Sequence, residues 1–178
     1  MSSNFTTAIN TSISLFKDIL KPELEIQLGG KFVSIEGKDD FVYKALDLFA
    51  GIDLLWIKNN QISGVANRIQ ISNKNWATFT IRAERESGTK TEYAKRKESI
   101  NDGLSIYPQY TIQSYINDNN ELLSFAIIPT VDIFDAIEQG YYQVQHTRAN
   151  QKGQAFFYIV KWDVLEKLDK RIKIFEAC

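Results

Sequence analysis

The chain has 178 residues, enough for one well-buried core; 44% are apolar and 24% charged, ordinary for a globular domain. Its net charge of −1 excludes a molecule that attracts polyanions as a whole, so any nucleic-acid surface must come from local charge segregation. The single cysteine, Cys178, excludes an internal disulfide and a cysteine-based zinc site, which suits a reduced, cytoplasmic setting.

The first twelve residues, MSSNFTTAINTS, lack the basic start and apolar run of a secretory leader. No apolar run approaches the roughly 20 residues that span a bilayer, so no membrane partner is expected. Phe5, Ile9, Ile13, Phe16 and Leu20 recur every three or four residues and predict a helix over 4–20. Lys21-Pro22 is expected to end it. Gly29-Gly30 introduces a short extended piece, KFVSIEG. Asp39-Asp40 can cap a second helix reaching Phe49, with Phe41, Ala45, Leu46 and Phe49 on one face.

Strands follow. IDLLWI is continuously apolar, as a buried central strand would be. Lys58-Asn59-Asn60-Gln61 makes a polar turn that tolerates left-handed backbone. Ile62–Ile71 is the next strand, with Gly64 at a bulge, and Trp76–Ala83 a third with alternating Thr, Phe and Ile. Thr89-Lys90-Thr91-Glu92 has capping-box spacing and opens a basic helix over Lys90–Asn101, which Gly103 ends. Tyr110–Ile116 and Leu122–Ile128 form a hairpin across Asn117–Asn120. Asp132 can cap a short helix to Glu138. Tyr141–Thr147 and Ala155–Trp162 pair last, and Asp163 opens a C-terminal helix. Trp56, Trp76 and Trp162 are expected in the core.

These elements predict one α/β (α+β) domain over 1–178, with a mixed central sheet and flanking helices. Its core lies at about 41–116, and a C-terminal extension of strands and helix covers 122–178. No linker, repeat or low-complexity run divides it.

The chemistry is concentrated in Gly51–Gln70. Asp53 enters one strand; Arg68 and Gln70 leave the next. A carboxylate at a sheet end is costly to bury unless paired or metal-bound. A strand-entry Asp that accepts backbone N–H bonds is the competing explanation. Arg68 and Gln70 share a strand face with Ala66. Arg68 can hold a phosphate, or pair with Asp53 or Asp47. Arg82–Lys97 carries Arg82, Arg85, Lys90, Lys95, Arg96 and Lys97 against Glu84, Glu86 and Glu92. Arg82, Lys90, Lys95, Arg96 and Lys97 are candidate phosphate contacts. Ser87-Gly88-Thr89 at the helix start favours anions. The alternative is a solvated helix laced with i,i+4 pairs. His146, the only histidine, is expected at a hairpin surface.

An acid entering one strand and polar groups late in the next resemble the site layout of the PD-(D/E)xK, restriction-endonuclease-like, nuclease superfamily. The expected order of three-strand meander, crossover helix and further strand resembles its αβββαβ core, over roughly Phe41–Ile116. The triplets Ala66-Asn67-Arg68 and Arg68-Ile69-Gln70 lack the family's acid. The resemblance implies Mg²⁺-dependent phosphodiester hydrolysis, with Asp53 ligating the ion, Gln70 orienting water or metal, and Arg68 stabilising phosphorane charge. Catalytic residues would then be Asp53, Arg68 and Gln70, with Glu25 or Glu84 as a second acid. The implied partner is nucleic acid, DNA ahead of RNA, and a homodimer is left open. The rival reading is a non-catalytic nucleic-acid- or protein-binding module of a phage or mobile element.

Overall fold

The computed structural model describes residues 10–36, 38–86, 88, 90–103, 106–146 and 155–176. The first helix, α1, runs over 10–28 and does not stop at Lys21-Pro22. A π turn at Phe16–Leu20 precedes the proline, and the Lys21 N–H reaches back to the Phe16 carbonyl. The widened turn accommodates a residue that has no N–H to give and whose ring crowds the preceding carbonyls. Phe16, Leu20, Leu24 and Leu28 form its buried stripe. Phe5 and Ile9 lie outside the described residues.

Gly30, at φ 82°, turns the chain into β1 (Lys31–Ser34), where a side chain would meet the Ile57 carbonyl at 2.5 Å. The Asp40 carboxylate caps α2 (41–50), accepting from Val42 N at 2.8 Å and Tyr43 N at 3.4 Å. The remaining strands are β2 (Leu54–Lys58), β3 (Gln61–Ile71), β4 (Thr78–Arg85), β5 (Tyr110–Ile116), β6 (Leu122–Pro129), β7 (Gln143–His146), β8 (Ala155–Lys161) and β9 (Lys173–Glu176). Helices α3 (Glu92–Asp102), α4 (Thr130–Glu138) and α5 (Trp162–Lys167) complete the described chain. Pro129, not Asp132, precedes α4. Asp132 instead pairs with Arg171 at 2.8 Å.

The α/β class is as expected, but the strands fall into two sheets. The larger has the order β1-β2-β3-β5-β6-β9, with β3 and β5 parallel and every other pair antiparallel. The smaller is β4-β8-β7. The meander is therefore β1-β2-β3, one strand earlier than expected. β4 cannot extend it, because β5 occupies that edge of β3 from Val65 to Ile71. The chain leaves through Ala77, at φ 49°, into the second sheet. The β7–β8 pair joins β4 there, and β9, which no sequence signal marked, closes the far edge of the large sheet.

One face of the large sheet packs Leu54, Val65, Ile112, Phe125 and Ile127 beneath α1. On the other face Tyr115, Ala126 and Ile128 meet Phe79, Ile81 and Val160 of the second sheet, with α4 and α5. The Tyr115 hydroxyl donates to the Thr78 carbonyl at 3.0 Å and contacts Thr78 Oγ1 at 2.8 Å, fixing β4 against β5. Trp162 is in this core, whereas Trp76 is mostly exposed, before β4 begins. No helix among the described residues is long and apolar enough to cross a membrane.

Candidate functional site

The antiparallel register places Leu54 opposite Val65, so Asp53 sits beside Ala66 and Asn67. The Asp53 N–H donates to the Val65 carbonyl at 2.9 Å. Asp53 Oδ2 accepts the Asn67 backbone N–H at 2.7 Å. Asp53 is thereby fixed at the floor of a cleft of about 480 Å³ between the two sheets. β3 contributes Ala66, Asn67 and Arg68, β5 contributes Thr111 and Gln113, and β4 contributes Thr80 and Arg85. Glu36, with Asp47 and Gly51 from the end of α2, and Glu92, Lys95 and Arg96 of α3 complete the lining, with Lys95 and Arg96 reaching the end of α2.

Helix α3 is held over the cleft at its start and its middle. Thr91 caps it, accepting from Ala94 N at 3.4 Å while donating to the Ala83 carbonyl at 2.8 Å. The helix thus starts two residues later than the expected capping box, whose Thr89 lies outside the described residues, as does Ser87 of the anion loop. Tyr93 stacks on Phe134 at 5.2 Å and meets Tyr158 edge-on at 5.0 Å. Gly103 ends the helix in the left-handed region, as the sequence predicts.

The three consecutive cations of α3 point in three directions, since each residue turns the helix about 100°. Lys95 Nζ donates to the Leu48 carbonyl at 2.6 Å on the cleft side. Arg96 points inward and is only 6% exposed. Lys97 turns away to Glu138 at 3.3 Å and the Tyr93 ring. Of the three consecutive candidate phosphate contacts, Lys95 and Arg96 therefore reach the cleft and Lys97 does not. Lys90 lines the cleft and pairs with Glu98.

Arg68 makes no ion pair with Asp53 or Asp47; no carboxylate lies within ion-pair distance of it among the described residues. Its guanidinium lies over the Phe157 ring at 5.1 Å, with Arg82 on the same ring at 5.4 Å. Arg82 also approaches Glu92 at 4.0 Å. Gln70 shares the Arg68 face by alternation but pairs with Tyr115 and does not line the cleft. β3 continues past the end of β2, so Gln70 lies roughly 13 Å along the strand from Ala66. Asp53 and Arg68 come together; Gln70 stays apart.

Glu25 and Glu84 do not supply the second acid. Glu25, on α1, accepts the Phe32 N–H at 2.9 Å, and Glu84 is exposed beyond a bulge in β4. The cleft's other acids are Glu36, Asp47 and Glu92. Only the fold could bring Glu36 and Gln113 in: one follows β1, the other reads as an ordinary β5 residue. His146 is exposed on β7 against Phe156.

Electrostatically the cleft is a mixed site. Burial pushes the Asp53 carboxyl up to about 7, against the lowering effects of the Asn67 N–H and of Arg96. Burial likewise raises Glu36 and Asp47, and Glu36 is pushed further by Asp47. Burial also lowers the Arg68 pKa. Among the described residues of the lining, Arg96 Nε and Gln113 Nε2 are buried donors with no acceptor, and Asn67 Oδ1 is a buried acceptor with no donor. Arg96 has one long bond, from Nη2 to the Gly51 carbonyl at 3.4 Å. Gln113, 1% exposed, uses its oxygen to accept from Thr80 Oγ1 at 3.2 Å. An unpaired buried donor costs about 1–3 kcal/mol, more for a charged one. The lining also carries five cations, Arg68, Arg85, Lys90, Lys95 and Arg96, against four acids, three of them raised. The arrangement suits an anionic ligand that brings acceptor oxygens.

For a divalent ion the donor set is sparse. Asp53 Oδ1 is free of the bond that holds Oδ2, and hard oxygens suit Mg²⁺. Yet no group of three His, Cys, Asp or Glu side chains able to hold an ion occurs among the described residues. Mg²⁺ commonly uses one or two carboxylates and completes its shell with water and substrate phosphate; Asp53 fits that role only with a phosphate already in the cleft. No family model, curated protein or solved structure matches this chain.

Proposed function

We propose that the cleft binds a nucleic-acid phosphodiester and, with Mg²⁺, hydrolyses it. The observation that carries this reading is the pair of buried, unanswered donors, Arg96 Nε and Gln113 Nε2, in the cleft that holds Asp53 and Arg68. A phosphate offers them acceptors and charge together. Arg68, with no carboxylate at ion-pair distance among the described residues, holds a second phosphate oxygen, and Lys95 and Lys90 follow the backbone away at the rim.

In hydrolysis, water adds to phosphorus and the P–O ester bond to the leaving oxygen breaks, with a proton transferred to that oxygen. Arg68 and Arg96 offset charge on the non-bridging oxygens as it develops. Asp53, ionised above about pH 7, would be the residue to hold the ion, its carboxylate kept in place by the Asn67 N–H. When bound, Mg²⁺ supplies Lewis-acid polarisation and a lowered pKa for its water. The resemblance to the PD-(D/E)xK layout supports this reading through Asp53 and Arg68, and gives no support through Gln70.

A specific observation favours the binding-module alternative: although four acids line the cleft, no three His, Cys, Asp or Glu side chains among the described residues are placed to hold one metal ion. Incubating labelled DNA and RNA, single- and double-stranded, with the protein and Mg²⁺ or Mn²⁺ separates the two. Hydrolysis is expected from wild type and lost by orders of magnitude in Asp53→Asn. Binding without cleavage under either ion leaves the module; neither binding nor cleavage removes both.

A further inference from the structure

Beside the cleft lies a groove of about 680 Å³ between α2 and α3, within the size range of ligand pockets. Phe41, Val42, Phe49 and Ile106 line it, and all four are exposed, Phe41 at 83% and Phe49 at 71%. The sequence pattern puts Phe41, Ala45, Leu46 and Phe49 on one helix face, as a core-facing helix would have them. The fold leaves Phe41 and Phe49 of that face exposed, while Leu46 packs on Ile35, Ala50 and Ile52, and the Phe41–Ala45 turn buries no residue. A patch of this kind marks an interaction site.

The groove is continuous with the phosphate cleft. Lys90 and Lys95 line both, and Leu48, also exposed, lines the cleft from the same helix. A polymer with its backbone in the cleft passes those two lysines, taking the ammonium groups from the Glu98 carboxylate and the Leu48 carbonyl that hold them without ligand, and places what it carries over Phe41 and Phe49. Cations tracking a backbone, with aromatic rings alongside, are the elements that bind single strands. A duplex keeps its base faces stacked inside and cannot offer them to two exposed rings. Glu98 and Asp102 at the groove wall can accept from exocyclic amino groups.

We propose that this groove stacks unpaired bases, so that the ligand of the cleft is single-stranded nucleic acid or a single-stranded portion of one. This rests on the phosphodiester reading of the cleft. It adds the polymer's conformation and names Phe41 and Phe49 as the residues that select it.

The test compares wild type with Phe41→Leu/Phe49→Leu and Phe41→Ala/Phe49→Ala, the full chain in each case. Both sites are exposed, so the fold survives. The probes are a fluorescent 15-nucleotide strand and its duplex, in EDTA, and the same strand carrying 2-aminopurine. The strand is expected to bind more tightly than the duplex. Each lost ring should weaken strand binding about tenfold, the leucine variant included, because leucine keeps the apolarity but loses the stacking. Quenching of 2-aminopurine on binding should vanish with the rings. Equal affinity for strand and duplex, unaffected by either double variant, overturns the proposal while leaving the phosphodiester cleft standing. No binding of either probe overturns both. Self-association in sedimentation velocity without nucleic acid, abolished by Phe41→Ala/Phe49→Ala, assigns the groove to a second copy of the chain and overturns it too.

Discussion

Asp53 Oδ2 accepts the backbone N–H of Asn67 at 2.7 Å, so a side chain just ahead of one strand is locked to the main chain of the next. That bond fixes the carboxylate in place without neutralising it. The charge is answered only weakly by its surroundings, and burial leaves the group with a pKa of about 7.

The raised pKa makes Asp53 a pH-dependent burden. Between about pH 4 and 7 the folded protein keeps this proton and the unfolded chain has lost it. Stability therefore falls as pH rises through that window and levels off above it. Glu36 and Asp47, also raised, act in the same direction. Asp53→Asn keeps an acceptor for the Asn67 N–H and removes the charge. The variant should match wild type near pH 4 and exceed it at pH 8, by roughly 1–3 kcal/mol. Thermal melts should show this as about 2–4 °C per kcal/mol. A variant less stable than wild type at pH 8 would show that the ionised Asp53 is well paired after all.

The cations of α3 should separate by direction. Lys95→Ala removes a cleft cation and should weaken oligonucleotide binding, lowering the salt slope by up to about one unit. Lys97→Ala should change affinity less than about twofold, because Lys97 faces Glu138. Equal losses from both would show that Lys97 contacts the ligand as Lys95 does, against the directions the helix gives them.

The sequence carried much of the fold. Apolar periodicity marked α1, the caps at Asp40 and Gly103 worked as local chemistry predicts, and the hairpin across Asn117–Asn120 has the expected strands. What it could not carry was partner choice between strands. WATFTIRA alternates as a strand in either sheet would, and nothing in β3 says that β5 will take its free edge. The candidate site divided along the same line. Asp53 and Arg68 were legible as polar groups in apolar strands. Gln70 was misplaced because the length of β3 beyond β2 is a tertiary fact. Gln113 was invisible because its role comes from the parallel pairing of β3 and β5.

Glycine replacements should separate backbone strain from steric conflict. Gly103→Ala forces a left-handed residue into open space and should cost about 1–2 kcal/mol. Gly30→Ala has the same kind of φ and also drives its Cβ to 2.5 Å from the Ile57 carbonyl. It should cost clearly more, read as a larger fall in the denaturant midpoint at constant slope. Equal losses would mean that β1 shifts freely, and with it the wall that carries Glu36.

Tyr115→Phe should loosen the joint between the sheets. It leaves the Thr78 carbonyl without its donor in a buried setting, at a cost of about 1–3 kcal/mol. Because Thr80 and Gln113 lie one step along the same pair of strands, the variant should also weaken oligonucleotide binding. Full stability and full binding in Tyr115→Phe would show that this joint does not position the cleft.

The most direct measurement is the affinity of wild type and Arg68→Gln for a labelled oligonucleotide, in EDTA at pH 8, across a salt series. No carboxylate lies within ion-pair distance of Arg68 among the described residues, so the substitution removes a cleft cation and its contact with the Phe157 ring without stranding an acid. A thermal melt of Arg68→Gln alongside separates lost ligand contact from lost stability. The cleft reading predicts salt-dependent wild-type binding, with Arg68→Gln weaker by about tenfold and its log–log slope smaller by about one unit. Wild-type protein that binds no oligonucleotide, or an Arg68→Gln curve that overlays the wild-type curve at every salt concentration, would contradict it.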